Sequence, residues 1–232
     1  MCFSAEASFA AGAVLTAGGG YAMVRASAAA PSLTPLAVYP AAFGVQQFAE
    51  GLLWLELPSA SATHASALAL VFLFFSHFFW PFWTPFSIYW LARGSSLRGP
   101  LLALTGLGFV VGALLFAPLL AEGSVPVGRL DGHIVYDTAS VYTGSISPDI
   151  VLAGYGLVVL LPFALTRDRA VQGFGALIVL SMLAALAFYA ATFISVWCFA
   201  AALISAYVVG MVLRRTGAGG RDQVRRAEAA RS

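Results

Sequence analysis

The chain has 232 residues, of which 60% are apolar and only 9% charged, and its mean hydropathy is +0.88; soluble domains carry roughly 25% charged residues. Apolar segments of about 20 residues recur along nearly the whole length, which excludes a separate soluble domain. The net charge is only +2, and nothing resembles a nucleic-acid module, so the expected partners are membrane lipids and a small-molecule or ion ligand.

Seven spans are predicted, giving an all-α transmembrane bundle over residues 1–213 followed by a basic tail, 214–232. The first span, 5–24, is built from Ala and Gly, with Ser4, Ser8, Gly12 and Thr16 spaced to share one face. Small residues let helices approach closely in lipid, so this face is expected to pack on a neighbour. No positively charged region precedes the span, so it is expected to remain a helix and not a signal peptide. Cys2 has no apolar stretch ahead of it, so it is not expected to be a lipoprotein cysteine.

The second span, 33–56, holds Gln46, Gln47 and Glu50. Moving an ionised carboxylate to the centre of a membrane helix costs roughly 2.5 kcal/mol or more, which makes Glu50 a functional-site hypothesis by default. Span three, 65–91, is rich in aromatic residues and carries Pro81 and Pro85 one turn apart. Proline removes a helix hydrogen bond and clashes with the carbonyl four residues earlier. For Pro81 that carbonyl belongs to His77, so a kink is predicted at a histidine inside the membrane segment. Trp80, Trp83 and Tyr89 read as lipid-facing or interfacial packing.

After the fourth span, 100–120, the longest connection covers 122–147. Asp131-Gly132 between short alternating runs predicts a small outer β-hairpin between spans four and five; a plain connector is the simpler reading and a lid the alternative. Spans five to seven follow at 148–166, 171–189 and 193–213, with the last turn placed near Tyr189 to Thr192 on length alone. A six-span count stays open at this junction. The tail carries six arginines against Asp222 and Glu228 and is expected to be disordered, fixing topology or touching anionic lipid.

All twelve basic residues are arginines. Arg25, Arg93, Arg98, Arg167 and Arg169 fall in alternate loops, six more lie in the tail, and only Arg129 falls opposite. By the positive-inside rule the carboxy terminus is cytoplasmic and the amino terminus and hairpin face outward. An even span count would break this pattern, so the arginines support seven.

Rise per residue then sets depth. Glu50 lies about 9 Å below the outer end and Cys198 about 8 Å; Gln46 and His77 lie deeper, at about 15 and 14 Å. An outward-facing polar pocket is thus expected from Cys2, Glu6, Gln46, Glu50, His77, Ser195 and Cys198. In one reading Glu50 and His77 share or relay a proton, with Gln46 in support, as in a carrier or sensor. In another, Cys2, Glu50, His77 and Cys198 hold a transition metal such as zinc or copper for an intramembrane enzyme, although no pair shows ligand spacing such as CxxC. In a third, Cys2 and Cys198 form a disulfide at the oxidising face. Packing alone also accounts for His77, Gln46, Gln47 and Cys198 as hydrogen-bonding or small residues between helices, which leaves a purely structural protein as a further alternative.

There is no lysine, which excludes a retinal protein, since that chromophore needs a lysine Schiff base. Gly-Lys phosphate loops and GxSxG elbows are missing too. The last span has no histidine, unlike the ceramidase-like intramembrane hydrolases. The start Met1-Cys2-Phe3-Ser4-Ala5, the segment from Gly44 to Trp54, and Ser195 to Phe199 together resemble an uncharacterised family of small bacterial multi-pass membrane proteins. That resemblance covers most of the chain and implies a bacterial cytoplasmic membrane but no activity.

Overall fold

A computed structural model describes residues 4–57, 62–138, 141–142 and 148–229. It is an all-α bundle with one small hairpin. The helices are α1 (Ala5–Ala29), α2 (Thr34–Glu56), α3 (Ala62–Leu73), α4 (Trp80–Leu91), α5 (Arg98–Glu122), α6 (Pro148–Leu165), α7 (Arg169–Phe188) and α8 (Phe193–Ala229). A π-helical turn, Phe74–Phe79, joins α3 to α4 in one rod, so the described residues form seven rods, the number predicted. Five segments are long and apolar enough to cross a membrane: Ala5–Ala29, His64–Leu91, Arg98–Glu122, Arg169–Phe188 and Ala190–Gly217. Ile150–Leu165 is apolar but shorter.

Ser4 opens α1 by accepting a hydrogen bond from the Ala7 amide, an N-cap role suited to a serine hydroxyl. The buried stripe of α1 is Ser8, Gly12, Leu15, Gly19, Ala22 and Ala26, the small-residue face expected from the sequence. It lies directly on α2. A methyl group on Gly19 would come within 2.4 Å of the Ala41 amide, and one on Gly44 within 2.2 Å of Thr16 Oγ1, so only glycine permits this approach.

The central helix is α2, packed by α1, α3, α4 and α8. It buries Gln46, Gln47 and Glu50 completely. Other helices carry their apolar residues on the outside: α5 turns Leu102, Leu107, Phe109, Val110 and Leu114 outward, the inverse of a soluble helix.

The π turn answers the prolines. Its last amide bond runs from Trp80 N to Phe75 O, five residues back. In that register the N–H missing at Pro81 frees the carbonyl of Ser76 instead of His77. The Tyr155 hydroxyl of α6 donates to this oxygen at 2.6 Å, so the break is satisfied by protein, as membrane depth requires. Pro85 likewise removes the partner of the Pro81 carbonyl, which rests on Gly108 of α5, where a methyl group would sit 2.0 Å away.

The hairpin pairs β1 (Val127–Leu130) with β2 (His133–Tyr136) antiparallel, Arg129 opposite Ile134. Asp131 and Gly132 take positive φ of 49° and 75°, the two-residue turn that Asp-Gly favours. At the α7–α8 junction a short 3-10 turn, Ala190–Thr192, occupies the place assigned to the last loop. Asp168 caps α7 through the Ala170 and Val171 amides and pairs with Arg215 of α8 at 2.6 and 2.7 Å. The guanidinium beside it holds the Asp168 carboxyl below its usual range.

Past residue 213, α8 continues to Ala229. Good helix formers (Gln223, Arg225, Arg226, Ala227, Glu228) follow the glycines, and a helix already nucleated from Phe193 onward propagates without a fresh nucleation cost.

Candidate functional site

Glu50 is reached from two helices. Within α2, Gln47 Nε2 donates to its Oε2 at 3.2 Å; from α8, Ser195 Oγ donates to its Oε1 at 2.6 Å. Both partners are neutral, and among the described residues Glu50 forms no ion pair. Ser195 sits one turn before Cys198, which is buried and lies close enough to Glu50 to feel its charge.

A second layer lies one turn along α2. Gln46, expected to support Glu50, faces elsewhere: its Oε1 accepts from Trp80 Nε1 at 3.0 Å and its Nε2 donates to the Phe72 carbonyl at 3.4 Å. It thereby ties α2 to both halves of the α3–α4 rod, and it also reaches Cys198. Beside this layer is a cavity of about 30 Å³ lined by Tyr39, Trp80, Thr84, Tyr155, Trp197 and Cys198 among others.

His77 occupies the π turn, where Nδ1 shares a hydrogen bond with Ser76 Oγ at 2.9 Å and the ring stacks on Tyr142 at 6.5 Å. Its hydrogen bond runs to Ser76 and not to Glu50. Glu6 is exposed on the first turn of α1. Cys2, part of the metal and disulfide readings, lies outside the described residues. Among those residues no three His, Cys, Asp or Glu side chains converge as a metal-binding group.

The hairpin packs on the Glu50 end of the bundle through Ile134 and Tyr136. Tyr136 is buried and stacks on Phe72 at 4.8 Å, close enough to Glu50 and Cys198 to interact with both. Burial keeps its hydroxyl well above the ordinary range, so it stays a neutral oxygen. Arg129 lays its guanidinium 4.8 Å over the Trp54 ring and donates to the Trp54 carbonyl at 2.8 Å. That carbonyl would otherwise look four residues ahead to residue 58, a proline with no N–H to give. The signal for Tyr136 was present in the strand alternation; what it faces was not.

The chain belongs to a family of unknown function (DUF6629), whose model matches residues 1–223. No curated protein and no solved structure matches it.

Proposed function

We propose that this DUF6629 member is a multi-pass protein of the bacterial cytoplasmic membrane that binds a small ligand, proton or cation at Glu50, in an outward-facing pocket, as a sensor or carrier. The amino terminus and hairpin lie outside and the arginine-bearing connections inside. One observation carries the reading: Glu50 is fully buried, yet the groups bonded to it are a serine and a glutamine. Packing alone would be served by glutamine, which bonds neighbours without ionising. A buried carboxyl with neutral partners must take up one positive charge whenever it ionises, because an unbalanced charge at low dielectric is costly.

Infrared difference spectra of the full-length protein in lipid, recorded across a pH series, test this. The wild type should show, among its titrating carboxyls, a carboxylic C=O band that Glu50→Gln removes. If the wild type shows no such band, or the variant keeps it, Glu50 is a packing residue and the reading falls.

A further inference from the structure

Ser8 Oγ, Gln47 Oε1 and Tyr136 Oη are all buried and have no hydrogen-bond partner among the described residues. They belong to one level. Ser8 sits there because its neighbours Phe9 and Gly12 meet Gly51 and Phe48 of α2, Gln47 bonds Glu50, and Tyr136 lies within electrostatic reach of Glu50. Buried polar groups are nearly always bonded, so three unpartnered oxygens at the level of one carboxylate are available as ligand atoms.

The chemistry of that set is narrow. Carboxylate, amide, hydroxyl and phenol oxygens suit hard cations and not the soft metals that thiolates select. One carboxylate balances one positive charge, whereas a divalent ion would strand a net charge at low dielectric.

We infer that Ser8, Gln47, Glu50, Tyr136 and Ser195 form a site for a monovalent inorganic cation, Na+ or K+, taken up in exchange for the Glu50 proton. This rests on the reading of Glu50 as a binding group and names its ligand. The Glu50 O–H bond breaks, the proton leaves to solvent, and the carboxylate keeps the electron pair and holds the cation, so the charge of the site is unchanged. The titratable groups facing Glu50 are Cys198 of α8 and Tyr136 of β2; α1 offers Ser8 and α3 offers Phe72, while His77 is bonded to Ser76.

Trp54 and Trp197 are buried near this level and report on it. Tryptophan fluorescence of the full-length protein in lipid would be titrated with NaCl and with KCl, choline chloride holding ionic strength constant, at two pH values one unit apart. The expected result is a saturable response to Na+ or K+, an apparent Kd raised up to tenfold at the lower pH, and loss of the response in Glu50→Gln. Should that variant fail to fold, Gln47→Met and Tyr136→Phe, each lacking one oxygen, should weaken binding severalfold. Identical wild-type traces in all three salts would overturn the inference. The infrared band then separates the two claims: if it persists, Glu50 exchanges a proton without a metal cation, and if it too is missing, both readings fall.

Discussion

Gln46 and Gln47 stand side by side in sequence and do different work. Gln46 gives the buried Trp80 indole its acceptor, so Gln46→Leu strands that N–H at a cost of about 1–3 kcal/mol. The measurable consequence is a melting temperature lower by roughly 2–4 °C per kcal/mol, with the Glu50 infrared band retained. Combining it with Trp80→Phe should cost less than the sum of the single changes, because the stranded donor is gone. The anomaly of Glu50 was legible in the sequence, since an acid in an apolar span stands out by solvation cost alone. Its partner was not, because residues three and four positions away are both helical neighbours. What decides between them is tertiary: α3 and α4 present a carbonyl and an indole to Gln46, leaving Gln47 for Glu50.

Elements show the same division between local and long-range information. Asp131-Gly132 specifies its turn by local chemistry and Pro81 specifies a lost helix hydrogen bond, so the turn and the interrupted ladder were both readable. The π register and the role of the hairpin were not, since they depend on Tyr155 reaching Ser76 and on Arg129 reaching Trp54. The hairpin buries Ile134 and Tyr136 in a cluster with Leu53, Trp54, Phe72 and Cys198, and Arg129 is its polar anchor to the end of α2. Arg129→Met removes a cation–π contact and a charge-assisted hydrogen bond, together about 1.5 kcal/mol. Backbone amides of residues 127–136 should then exchange hydrogen roughly tenfold faster by mass spectrometry while those of α2 hold their rate. Equal acceleration in both would mean that the hairpin and α2 open as one unit, not as lid and frame.

At the scale of the molecule, three side-chain contacts sort the arginines by end. The Glu50–Ser195 bond sets the start of α8 beside the end of α2. The bond from Trp90 Nε1 to the Pro31 carbonyl places the end of α4, with Arg93, beside the connection that follows Arg25. Asp168–Arg215 joins the α6–α7 connection, with Arg167 and Arg169, to the far half of α8. Because α2 and α8 each run from one end of the bundle to the other in opposite senses, these contacts gather Arg25, Arg93, Arg167, Arg169 and Arg215 at one end and leave Arg129 at the other. That exception is spent on Trp54, where the guanidinium is held by protein and adds little to the loose charge that orients a chain during insertion. The proposed orientation therefore carries a sharp expectation in a bacterial host. Green fluorescent protein fused after Ser232 should fluoresce, as it does when folded in the cytoplasm, and alkaline phosphatase inserted between Asp131 and Gly132 should be active, as it is only outside. A dark fusion with an inactive insertion would invert the molecule and turn the Glu50 end of the bundle toward the cytoplasm. Arg129→Gln should leave both reporters unchanged, since a residue engaged in capping α2 contributes to the lid and not to the choice of side.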